Sequence, residues 1–213
     1  MRFLKNVTPL LLLTFLAVLP FGAARADESN KLTIFNFSAP VELPGLTLPA
    51  GSYTFKLMDN SSDRNIVQVF NKDMTKYYGT FLGISDYRPE PSEKTIIRFS
   101  ESASGASNAI KEWFYPGDNF GVEFAYPRAR ARELAKASNT AVPSMPDAMK
   151  TNITKEAKSS TAPSVTALKS AELKAQEPNG NEVEVSQGFT TAPTNNSSSN
   201  AKHHVNSEGA TSE

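Results

Sequence analysis

Six carboxylates, Glu90, Glu93, Glu101, Glu112, Asp118 and Glu123, are among the side chains of the aromatic-rich part of this chain that could supply an acid and a base. Two of them at the right separation would suit glycoside hydrolysis. Glu112 and Glu123 are the natural pair, since they would face each other across a hairpin turning at Pro116-Gly117-Asp118-Asn119. Charged residues on the outer face of a strand are also the ordinary state of a half-solvated sheet.

Other chemistries are excluded by composition. There is no cysteine, and the only histidines, His203 and His204, lie near the C-terminal end. Disulfides, thiolate nucleophiles and thiolate metal sites are therefore ruled out, and the aromatic-rich part has no Ser-His pair or His-ligated zinc. Asp59-x-Ser61-x-Asp63-x-Asn65 has the alternating oxygens of a calcium loop, but Arg64 stands where such a loop needs Gly and Phe70 where it needs Glu. Gly105, Gly117 and Gly121 lack the strand-then-helix setting of a phosphate cradle. No cofactor or metal is expected.

The densest aromatic stretch is Trp113-Phe114-Tyr115, followed by Phe120, Phe124 and Tyr126. Neighbours on a strand point to opposite faces, so Trp113 and Tyr115 share one side and Phe114 takes the other. One set can pack in a core while the other forms a platform for sugar rings or a protein partner. Trp113 and Tyr115 are the candidate ligand-binding residues.

These residues have to be held by strands. Period-two alternation marks Leu32–Phe37, Tyr53–Leu57, Ile66–Phe70, Tyr77–Ile84, Thr95–Phe99, Ala109–Tyr115 and Phe120–Tyr126, with a short piece at Val41–Leu43. Pro, Gly, Asn and Asp clusters separate them at intervals typical of antiparallel all-β folds. The spacing predicts an all-β domain, an antiparallel β-sandwich of immunoglobulin or transthyretin type or a small barrel, with about seven strands. Arg128–Lys136 reads as a short helix after the last strand, with Arg128, Arg132 and Lys136 along one side.

The two ends have different characters. Arg2 and Lys5, the apolar run Val7–Phe21 and Ala24-Arg25-Ala26 make residues 1–26 a signal peptide with cleavage before Asp27. Without it, 19 basic side chains face 22 acidic ones, a net charge of −3 that points to no nucleic-acid or membrane-surface partner. No later stretch is apolar enough for an integral membrane segment. Residues 27–136 form the expected domain. From 137 to 213 the chain is Ser, Thr, Asn, Ala, Pro and Lys with single aliphatic residues, and is expected to be a disordered tail with at most a transient helix near 164–176.

Leu48-Pro49-Ala50-Gly51-Ser52-Tyr53 resembles the Pro-x-Gly-x-Tyr corner of immunoglobulin-like and transthyretin-like folds, where the Tyr folds back onto the turn's backbone. With Pro44-Gly45, Asn65–Phe70 and Trp113–Asp118, the set resembles an uncharacterised family of exported β-domain proteins found in soil bacteria such as Acidobacteria. That resemblance spans roughly residues 32–136. It implies export and a compact β domain, and it brings no activity.

Three readings follow. The first is a non-enzymatic interaction or structural module, periplasmic or extracellular, meeting an envelope protein or polysaccharide. The second is a carbohydrate-binding module using Trp113 and Tyr115. The third is a small carboxylate-dependent hydrolase using Glu112.

Overall fold

A computed structural model describes residues 31–59, 64–100 and 108–185. The proposed signal peptide, the Asn60–Asp63 part of the calcium-like loop, Glu101, the histidines and the chain beyond 185 lie outside the described residues.

The alternating segments form strands, and Leu46–Leu48, not expected from the sequence, adds one more: β1 (Leu32–Phe37), β2 (Val41–Leu43), β3 (Leu46–Leu48), β4 (Gly51–Asp59), β5 (Arg64–Asn71), β6 (Tyr77–Tyr87), β7 (Ile96–Ser100), β8 (Asn108–Phe114) and β9 (Phe120–Phe124). They make one nine-stranded sheet in the order β1-β4-β5-β6-β9-β8-β2-β3, with β7 also paired to β8. All its pairings are antiparallel except that of β2 with β8, where Val41 lies beside Asn108. Among the described residues no pairing joins β1 to β3 or β7, so the sheet does not close.

Turn chemistry fits each corner. Pro44-Gly45 joins β2 to β3 with Gly45 at φ 76, the order and sign of a type II turn. Tyr53 folds back so that its hydroxyl donates to the Pro49 carbonyl at 2.8 Å, the corner the sequence resembles. Inside, the alternate residues of β1, β4, β6, β8 and β9 bring rings edge to face: Phe55 lies 4.9 Å from Phe35, 6.1 Å from Trp113 and 6.5 Å from Phe124. Such contacts contribute roughly 0.5–1.5 kcal/mol each beyond their buried area.

Gly121 of β9 lets β8 come close. A Cβ there would sit 2.5 Å from the Phe114 ring and 2.7 Å from the Trp113 carbonyl oxygen. Gly121→Ala is therefore expected to cost about 1–3 kcal/mol through forced displacement of strand and ring. Urea unfolding should show a lower midpoint at unchanged slope.

Two expectations need correction. The fold is mixed α/β rather than all-β, with two sheets and three short helices, and the chain after Lys136 is not a disordered tail as far as residue 185. After β10 (Tyr126–Pro127) and α1 (Arg128–Ser138), β11 (Val142–Met145) runs parallel to β10. Then come α2 (Lys150–Ile153), α3 (Pro163–Lys169), β12 (Lys174–Gln176) and β13 (Glu182–Glu184). Strands β10-β11-β12-β13 make a second sheet against which α1 packs.

The physical reason is that this segment builds no core of its own. It covers the face of β5 and β6 that carries Arg64, Ile66, Gln68, Thr80 and Leu82, turned away from the aromatic core by strand alternation. Arg64 donates to the Ala171 carbonyl, Gln68 to that of Ala157 and Tyr77 to those of Ile153 and Lys155. Val142, Met145, Ile153, Val165 and Leu168 are each buried.

The β2–β3 hairpin is fixed from further along the chain. Tyr126 donates its hydroxyl to the carbonyls of Glu42 and Ile110, and Arg130 of α1 grips the Glu42 carboxylate with two N–H groups at 2.8 and 2.7 Å.

Candidate functional site

The β8–β9 hairpin carries a different chemistry on each face. Trp113 pairs across to Val122 and Glu112 across to Glu123, so the indole and the two carboxylates point to opposite sides of the same two strands.

On the inner side a cleft of ≈ 180 Å³ opens at one end of the aromatic core. Trp113, Leu57 and Val122 form its apolar wall, Asn65 and Ser85 its polar wall, and Tyr115 and Phe120 also line it. Lys31, just before β1, and Asp118, in the β8–β9 turn, complete the lining and form an ion pair. The Lys31 ammonium also lies 5.9 Å over the Tyr115 ring.

The sequence-predicted residues therefore come together, though not as a flat platform. Trp113 is 2 % exposed and belongs to the core, Tyr115 is half-buried, and Phe114 takes the opposite face under the guanidinium groups of Arg88 and Arg98. The Trp113 Nε1 group is buried without a hydrogen-bond partner among the described residues. A buried donor left unpaired is costly, roughly 1–3 kcal/mol, and calls for an acceptor.

Phe120 was not among the residues singled out from sequence. Alternation puts it on the face of Val122 and Phe124, but it lies at the open end, 62 % exposed and 5.3 Å from the exposed Tyr87 ring. The signal that could have found it is its place beside the Pro116–Asn119 turn, at the end of a strand.

On the outer side Glu112 and Glu123 are each 4 % exposed. Glu112 is paired with Arg98 at 2.9 Å and Lys111 at 2.7 Å. Glu123 has Lys111 at 3.8 Å, too far for a hydrogen bond, and its Oε1 is unpartnered. Burial pushes its carboxyl up to about 8, with Lys111 opposing and the Asp86 and Glu112 carboxylates adding to the rise. Asp86 is also raised, first by burial and then by Glu112. Lys111 is raised because Glu123 and Glu112 together outweigh its own burial.

A neutral Glu123 beside a charge-paired Glu112 has the proton division of an acid–base pair. The cleft, however, is lined from the other face of the hairpin and includes neither side chain. Glu90 and Glu93 lie on the exposed connection before β7. Among the described residues no three His, Cys, Asp or Glu side chains converge to hold a metal ion, and no helix is long and apolar enough to cross a membrane.

No family model, curated protein or solved structure matches the chain.

Proposed function

We propose that the protein is an exported, non-enzymatic binding module of the cell envelope or exterior that takes a sugar residue into the cleft between Trp113, Tyr115 and Phe120. The observation that carries this reading is the set of three aromatic side chains, Trp113, Tyr115 and Phe120, in one cleft with the polar Asn65 and Ser85. A sugar presents apolar C–H faces to aromatic rings and hydroxyl groups to such polar side chains. At about 30 Å³ per water, the cleft has room for on the order of six waters, which suits one ring and not a long chain.

Export is supported by Arg2, Lys5, the apolar run and Ala24-Arg25-Ala26. The immunoglobulin or transthyretin-like reading of the first sheet is supported by its curl, which brings Phe37 of β1 within 6.4 Å of Phe99 of β7. A protein partner is the second reading, favoured by β1, whose outer edge is unpaired among the described residues and whose Leu32 and Ile34 are exposed.

Titrating the full chain with a panel of envelope oligosaccharides while following Trp113 fluorescence tests the cleft. Saturable binding is expected, weakened about tenfold by Tyr115→Ala or Phe120→Ala, as loss of a stacking contact implies. An unchanged spectrum across the panel, with the chain folded, would set the sugar reading aside in favour of the protein partner.

A further inference from the structure

We infer that the ligand of this cleft is a sugar acid, whose carboxylate is held by Lys31; the inference rests on the sugar-binding reading above. Two side chains of the lining have donors to offer a ligand. Asn65 Nδ2 donates to Ser85 Oγ at 3.2 Å, which leaves the Ser85 hydroxyl proton free to be donated onward. Lys31 completes the set: an ammonium has three N–H donors, and Asp118 uses only part of them.

Charge points the same way. Lys31 and Asp118 are the two charged residues of the lining, and they stand at its rim, paired to each other. A neutral sugar would leave that pair as it is and gain little from it. A ligand carboxylate placed against Lys31 gains a charge-assisted hydrogen bond, the stronger kind, while a ring oxygen accepts from Ser85. Asp118 then acts as the competitor: it holds Lys31 in place over Tyr115 in the empty cleft and opposes a second carboxylate on entry.

Opposite signs at the two rim residues make the test specific. Glucuronate and glucose are titrated into the full chain, with Trp113 fluorescence as readout. Glucuronate is expected to bind at least about tenfold more tightly, as a hydrogen bond to a charged group implies, and to weaken as salt is raised. Lys31→Met should abolish the preference, so that the ratio of the two affinities falls to about one. Asp118→Asn, which frees Lys31, should tighten glucuronate binding about threefold, a direction that damage to the fold would not produce.

A glucuronate-terminated oligosaccharide separates the sources. Tighter binding than the monosaccharide assigns a glycan end, and equal binding assigns a free sugar acid; the carboxylate preference is required in both. Equal affinity for glucose and glucuronate, insensitive to Lys31→Met, overturns the inference and leaves sugar binding standing. Binding of neither sugar overturns both.

Discussion

A chain ended at Lys136, where the aromatic residues give out, is expected to lose cooperative unfolding, whereas a chain ended at Val185 keeps the stability of the whole protein. The cut removes six aliphatic side chains that are buried or nearly so: Val142, Met145, Ile153, Val165, Leu168 and Leu173. Full burial of such a side chain contributes about 1.5–3 kcal/mol. The sum rivals the roughly 5–15 kcal/mol that holds a typical domain together. The cut also uncovers Ile66 and Leu82, and it strips Gln68 and Arg64 of the carbonyls of Ala157 and Ala171. Far-UV circular dichroism and urea titration of the two truncations check this. A chain to Lys136 unfolding at the midpoint of the full protein would show that residues 137–185 only rest on the fold.

Glu123→Gln is expected to stabilise the protein in alkaline solution by several kcal/mol and to do almost nothing near pH 4.5. The Glu123 carboxyl titrates at about 8 when folded, against 4.5 for an ordinary glutamate. Between those values the native state holds a proton that the unfolded state has released, so stability falls as pH rises across that window. Below 4.5 the group is neutral in both states. Above about 8 the full cost of a buried carboxylate is present, up to roughly 5 kcal/mol at 1.36 kcal/mol per pH unit. Glutamine fills the same space without that charge. Asp86, raised for the same reason, leaves part of the slope in the variant. Urea midpoints for the two proteins from pH 4.5 to 9 should diverge steadily; parallel curves would mean that Glu123 is charged throughout.

Much of the first sheet was legible because its strands obey local rules. Leu32–Phe37 is both the expected and the observed β1, and Tyr53, Phe55 and Leu57 share the inner face as their alternation requires. The same rule put Trp113 with Tyr115 and set Glu112 opposite Glu123. Alternation says which face a residue takes, however, and nothing about what lies over that face. Hence Glu112 and Glu123 read as solvated and are buried, while Phe120 shares a face with the buried Val122 and Phe124 and is exposed.

The segment after Lys136 misled for a related reason. Low apolar content argues against a chain folding alone, and Val142, Ile153, Val165 and Leu168 stand too far apart to make a core among themselves. Docked on a preformed face, each needs only a site to fill. The faint helical signal over residues 164–176 is met in part: α3 begins at Pro163, a favoured first residue of a helix, and ends at Lys169, while Lys174–Gln176 is β12.

The grip on Glu42 bears on the order in which the molecule comes together. Among the described residues, the groups bonded to β2 from outside its own hairpin, Asn108 and Ala109 beside it, the Tyr126 hydroxyl and the Arg130 guanidinium, come from after β6 in the chain. Closing so long a loop carries an entropy cost that only the finished neighbours can offset. The β2–β3 hairpin is therefore expected to form as a turn on its own and to seat only with the strands that follow it, so that the first sheet gains its full width with the arrival of α1.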